Sequence, residues 1–420
     1  MIKNRFIYLL LFITTLSILL GIYLGEDSLG SGRHDYTYHL GYLNGFSENF
    51  YETYKKFGTL NGDPVRNSPI FYMFFSIFLK LGFPLENLKI INLLISLPLV
   101  IFFIKCLEVK YPSIDLETKI YFSSALLLSP TIRTLLAWPY PLIWAICFFL
   151  ISIYFFLIFK RTKNFDKKII FAYYNIFFLG LSAYFTPKFA VFSLFFFFHF
   201  FLSFKFKKQI FKIILFNIFM AMPAIYFIIS KDYYLFVSEP FSVDISTKYN
   251  FSNKIIIILT MLFLFFIPFI TKENIFYQKK NLFKIDYKFY IFLFFIVVNI
   301  YFFDFLNRSG GGGGIFFHFS QVLFKNSLLL FIIFIISLCI FRILGLFNFN
   351  NIFIFTLLIL YNLEFTIYYK YFDPLVFFLF LFLVDYKKDN FFDIKRLSKK
   401  YFIFYILFLA INLSKSFITY

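Results

Sequence analysis

Asp35 stands between His34 and His39 in the stretch from Arg33 to Phe46, RHDYTYHLGYLNGF, and these three side chains are the group best suited to acid–base chemistry. The apolar and aromatic spacing predicts a short helix here, on which Asp35 and His39, four residues apart, share a face. Near a helix start the backbone dipole favours the charged form of Asp35, and an ionised carboxylate can take a proton from a hydroxyl. A simple cap is the plainer alternative for a loop aspartate. Together with His34 and His39 the acid also offers three metal donors, yet neither an HExxH pattern nor a cysteine cluster accompanies them. Hydrogen bonding or phosphate contact suits the two histidines better. No metal and no other cofactor is assigned, a divalent cation having only this triad behind it.

These residues lie in a polar interval, 26–68, of a chain that is otherwise apolar. Of its 420 residues, 61% are hydrophobic, with 76 Phe and 31 Tyr. Its mean hydropathy of +0.79 exceeds any soluble composition. Apolar runs of about 18 or more residues recur from end to end, which predicts an all-α polytopic membrane protein. Crossings are expected near 6–25, 88–105, 119–136, 141–159, 169–186, 187–204, 209–230, 255–271, 289–304, 327–345, 350–367, 374–385 and 401–414, about thirteen in all. One integral membrane domain, 1–420, is expected, with a first outer loop over 26–87, the rest of a catalytic helical core over 88–230 and variable helices over 231–420. Leu24-Gly25-Glu26 lacks the small-residue pattern of a signal cleavage site, so the first helix is read as retained. Cys106, Cys147 and Cys339 fall in or beside apolar runs without CxxC spacing and read as small buried hydrophobes.

Pro69 to Pro84, PIFYMFFSIFLKLGFP, is short for a crossing and carries Lys80, so it reads as an interfacial helix. Charge supports that choice. With this segment outside, the basic loops at 160–168, 205–212, 271–288 and 385–400 all face the cytoplasm, as retained loops rich in Lys and Arg do. The amino terminus is then cytoplasmic, and the plasma (inner) membrane of a bacterium is the expected location. Topology thus accounts for the net charge of +19 without a nucleic-acid partner. Lysine follows the inward bias, but the arginines divide evenly, and the outer ones are Arg33, Arg66, Arg133 and Arg308. A guanidinium fork suits phosphate.

Asn67 to Gly82, NSPIFYMFFSIFLKLG, resembles the H-P-P-L-Y-Y-L-L-L-A-L-x-x-K-L-F-G segment of the GT-C glycosyltransferases, with Asn-Ser-Pro in place of His-Pro-Pro. Ala125 to Thr134, ALLLSPTIRT, is similar to the A-L-L-L-A-L-S-P-x-x-x-R stretch of the same family. Its members take sugar from a polyprenyl-phosphate carrier. The resemblance covers roughly residues 1–230 and implies transfer of a sugar to an acceptor hydroxyl at the outer face, with Asp35 as general base. It further implies cations for the departing phosphate, here Arg66, Arg133 and Lys188, with Arg33 less well placed, and His34 and His39 as substrate contacts. Where several members carry a second acid after the SP stretch, this chain has Ala137-Trp138-Pro139-Tyr140-Pro141, so a site needing two acids is not provided. The partners expected are a polyprenyl-phosphate sugar, an unknown acceptor and the bilayer.

Two rivals stay open: a Wzy-like polysaccharide polymerase, which usually places its large outer loops late, and a non-catalytic lipid or glycan flippase, which calls for intramembrane charge. Glu26 and Asp27 read as the solvated end of the first helix, and Glu48, Glu52, Lys55 and Lys56 as an exposed salt-bridged face. The loop at 231–254, with Lys231, Asp232, Glu239 and Asp244, offers a cover or a plain connection. Arg308 and Gly310 to Gly314 offer an anion nest or, lacking GK[ST], a flexible hinge.

Overall fold

The computed structural model describes residues 2–29, 32–57, 68–205, 208–231, 250–271, 287–305, 312–362, 367–386 and 393–418. All regular structure among them is helical. The first half of the chain supplies α1 (Ile2–Tyr23), α2 (Gly32–Glu48), α3 (Phe50–Lys55), α4 (Ile70–Lys80), α5 (Leu85–Leu94), α6 (Ser96–Lys110), α7 (Leu116–Leu127), α8 (Pro130–Ala137), α9 (Pro141–Arg161), α10 (Phe165–Phe185), α11 (Ser193–Phe204) and α12 (Lys208–Lys231). Then follow α13 (Phe251–Phe266), α14 (Tyr287–Tyr301), α15 (Gly314–Phe324), α16 (Leu328–Ile343), α17 (Phe349–Tyr361), α18 (Leu375–Phe378) and α19 (Ile394–Ile418). Short polar side chains set many of the boundaries by accepting from the orphan N–H groups of a first turn. Asp115 accepts from Thr118 N at 2.9 Å, Asn164 from Asp166 N at 2.9 Å, Asn250 from Asn253 N at 3.2 Å and Asn348 from Asn351 N at 2.9 Å.

The chain is an all-α polytopic membrane protein. Among the described residues, seven helices are long and apolar enough to cross a bilayer: Leu85–Lys110, Pro141–Arg161, Phe165–Phe185, Pro187–Phe204, Lys208–Ile229, Phe251–Phe269 and Ile394–Ser414. The α7–α8 pair, bent by 61°, makes an eighth if it counts as one broken span. Several other expected crossings correspond to apolar helices of 10–17 residues, and Ile70–Lys80, read from sequence as interfacial, is another helix of that length class. That helix is short because Pro69 starts it and the left-handed Gly82 (φ +85°) ends it.

The chain divides into two compact units, residues 1–238 with 398–420, and residues 239–397. The last helix packs with the first unit. Lys399 Nζ on α19 meets Glu117 of α7 at 3.1 Å, and Tyr401 and Tyr405 are fully buried. Within the first unit α9 is the central helix and α12 the most lipid-exposed one. Phe149 and Phe156 of α9 face Phe189, Phe192, Phe196 and Phe200, with ring centroids 4.8–6.3 Å apart.

Among the described residues of the second unit, the charged side chains of Lys254 and Asp373 are buried. Of the glycine run that offered an anion nest or a flexible hinge, Gly312 to Gly314 lie among the described residues. Gly312, Gly313 and Gly314 all have positive φ, and a Cβ on Gly312 would sit 2.9 Å from the backbone nitrogen of Ile367. Gly313 N donates to Ile367 O at 3.1 Å and Ile315 N to Tyr369 Oη at 3.0 Å, so the segment is clamped. Gly312→Ala combines left-handed strain with a collision against main chain. It is expected to cost about 2–4 kcal/mol, read as a lower melting temperature in detergent. An unchanged melt would mean that the backbone there yields freely.

Candidate functional site

The loop that follows α1 leaves it at Gly25, whose φ of +66° turns the chain sharply. The loop is then pinned to α8, the short arm of the broken span. Ser129 starts that arm by accepting from Ile132 N at 3.2 Å, with Pro130 in the first helical position, where a missing N–H costs nothing. The SP dipeptide is thus the cause of the 61° bend. The last carbonyls of α8, buried in the protein, are met by Asn92 of α5, fully buried, which donates to Leu135 O at 2.8 Å and Leu136 O at 3.1 Å. Trp144 Nε1 in turn donates to Asn92 Oδ1 at 3.0 Å. Sequence reasoning missed Asn92; its signal was a lone amide within the apolar run KIINLLISL.

Arg133 lies in the middle of α8 and is only 6% exposed. Its Nε donates to Glu26 Oε1 at 2.7 Å, a second nitrogen forms an ion pair with Glu26 Oε2, and the remaining contacts run to Ser17 Oγ at 2.9 Å and Ser17 O at 3.0 Å. A Cβ at Gly21 would strike the Glu26 carboxylate, so glycine is what lets the pair close against α1. This corrects the sequence expectation for Glu26, which is a buried partner and not a solvated helix end. A phosphate approaching Arg133 would have to displace that carboxylate.

The residues after Glu26 continue the attachment. Trp138 Nε1 donates to Glu26 O at 3.0 Å, Ser28 Oγ to Pro130 O at 3.0 Å, and Leu29 N to Thr134 Oγ1 at 3.2 Å. Asp27 accepts from Gly32 N at 2.9 Å and Arg33 N at 3.0 Å and so caps α2, a structural task where a solvated end was expected. A Cβ on Gly32 would meet Thr134, which brings the start of α2 directly against α8.

On α2 the predicted residues separate by face. Gly32, Tyr36, His39, Tyr42, Leu43 and Phe46 form the buried side. Asp35 lies in the first turn, half-exposed at its edge, and Arg33 and His34 are exposed. His34 packs on Tyr38 with ring centroids 5.0 Å apart. His39 Nδ1 is 2.7 Å from the hydroxyl of Tyr72, a fully buried residue of α4, and its ring stands edge-on to Tyr140 at 4.7 Å. This pairing fixes the imidazole, which holds α2 on α4. Tyr36 is buried against Trp138 at 5.7 Å, and its hydroxyl has no hydrogen-bond partner among the described residues. Burial first, and the Glu86 carboxylate second, push the Tyr36 phenol up to about 12.

The structure therefore brings Asp35 and His39 onto one helix beside the Arg133-bearing arm. Lys188 lies elsewhere, in the 3-10 segment Pro187–Phe192 between α10 and α11, with its Nζ buried. The ring of Phe185, three residues before it, lies 6.4 Å from that of Phe71 on α4. Arg66, Arg308 and the loop over 232–249 lie outside the described residues. No group of three metal-binding side chains occurs among the described ones. Neither a family model, nor a curated protein, nor a solved structure matches this chain.

Proposed function

We propose that the protein is a GT-C-type glycosyltransferase that moves a sugar from a polyprenyl-phosphate carrier to an acceptor hydroxyl at the outer membrane face. The observation that carries this reading is the position of Asp35. Of the three acids nearest the first helix, Glu26 is buried in an ion pair and Asp27 caps α2, while Asp35 is half-exposed on a helix anchored at its base. A general base needs such a rigid mount with access to its substrate.

In this reading the Asp35 carboxylate takes the proton from the acceptor hydroxyl, the acceptor oxygen bonds to the anomeric carbon, and the bond to the carrier phosphate breaks. Negative charge gathers on the departing polyprenyl phosphate, where fixed cations lower the barrier. Lys188 and Arg66 take that part, while Arg133 acts through Glu26 as a positioning residue. His39, held by Tyr72, and the exposed His34 are assigned to substrate hydroxyls. The motif likeness at 67–82 and 125–134 supports the same class, since the SP dipeptide there begins the arm that holds the loop.

The test is transfer by the purified full-length protein from a panel of labelled polyprenyl-phosphate sugars, with a nucleotide-sugar panel beside it. Release of free polyprenyl phosphate in step with glycosylated acceptor is expected from at least one lipid donor. Transfer from nucleotide sugars alone, or lipid-linked glycan growing by whole repeat units, would remove this class.

A further inference from the structure

Two cytoplasm-type turns that lie far apart in sequence converge at one end of α9 to α12. The first joins α9 to α10 and the second joins α11 to α12; since α10 runs away from this end and α11 returns, both turns lie on one side of the bilayer. Lys168 Nζ donates to Ser203 Oγ at 3.1 Å, and the Phe204 ring lies 5.8 Å from Phe159 and 6.2 Å from Phe165. The first turn exposes Arg161, Lys163 and Lys167, the second Lys205 and Lys208. Asp166 is the sole carboxylate among the described residues of either turn, and none of these cations forms an ion pair there.

The amines are also held at a particular depth. Lys160 Nζ stands 5.5 Å from the Phe156 ring centroid and Lys168 Nζ 5.1 Å from that of Phe159, so both ammonium groups are kept where apolar helix gives way to water. Topology explains the sign of each loop but not their convergence without a counter-charge. Like charges this close repel one another, and the anions available at that depth are lipid phosphates.

We propose that this double turn is a binding site for the phosphate of an anionic phospholipid, phosphatidylglycerol being the simplest, in the leaflet that it faces. The exposed lysines meet the headgroup, while the buried Phe159 and Phe204 rings hold the two turns together. The inference is independent of the sugar-transfer reading.

Full-length protein in neutral detergent, offered equal amounts of phosphatidylglycerol and phosphatidylcholine, is examined by native mass spectrometry for retained lipid. Retention of phosphatidylglycerol is expected to exceed that of phosphatidylcholine by at least about tenfold, since each basic group near an anionic headgroup raises affinity about fivefold. The variant Lys163→Gln/Lys167→Gln/Lys205→Gln/Lys208→Gln should lose that preference while melting as the parent does in phosphatidylcholine. Equal retention of both lipids by the parent protein, or full preference in the variant, would overturn the site. So would displacement of the lipid by inorganic phosphate at equal concentration, which would make it a free-phosphate site. If the variant does not fold, the parent protein in high salt decides: the preference should collapse, and a salt-insensitive preference counts against the proposal.

Discussion

Glu26→Ala is expected to destabilise the protein by about 3–5 kcal/mol, the usual loss when one member of a buried ion pair is removed. The reason is what it leaves behind. Arg133 is 6% exposed, and without the carboxylate its charge keeps only the neutral contacts to Ser17. Arg133→Ala should cost a similar amount by stranding Glu26. Replacing both, as Glu26→Leu with Arg133→Met, should cost less than either single change, because no uncompensated charge remains. Thermal melts of the four proteins in detergent close the cycle. Protease cleavage between Glu26 and Gly32 should rise in the single variants, since the pair, the Trp138 contact and the Ser28 contacts hold one another in place. Additive costs would show that the two side chains are not coupled, and the account of the loop's attachment would fail.

Asp35→Asn is expected to lower the rate of sugar transfer by at least about a hundredfold, the low end of what a general base contributes. Asparagine preserves the size and polarity of the side chain but cannot take the acceptor's proton at neutral pH. The melt and the carrier affinity should therefore stay near those of the parent, with the loss appearing in kcat and not in KM. Asp35→Glu should recover part of the rate. Turnover near the parent's in Asp35→Asn would dismiss this residue as the base and leave it as part of the α2 start.

Local features were legible in the sequence and long-range pairings were not. The aromatic spacing of residues 33–46 correctly placed a helix with Asp35 in its first turn, and the length of the 69–84 segment with its Lys80 marked a helix shorter than a crossing. Helix periodicity and turn chemistry are local, so a single chain displays them. The partnership of Glu26 with Arg133 spans 107 positions, and nothing local distinguishes a helix-end glutamate that stays solvated from one that folds back. Asn92 was hidden for a different reason. Asparagine is common throughout this chain, so the one that meets two main-chain carbonyls and Trp144 could not be singled out. The glycines at 312–314 were open to more than one reading because flexibility and close packing call for the same residue, and the nearness of Ile367 decides between them.

The ion pair between Glu117 and Lys399 sets a timetable for biogenesis. Glu117 leaves the ribosome about 280 residues before the lysine that will neutralise it, an interval on the order of tens of seconds at ordinary synthesis rates. During that interval an acid-bearing helix must wait beside lipid or within the insertion machinery, and the whole 239–397 segment has to be threaded before the amino-terminal bundle receives its last member. Assembly of that bundle therefore waits on a helix made long after its other members, and a premature stop between α12 and α19 would release an amino-terminal half without that helix.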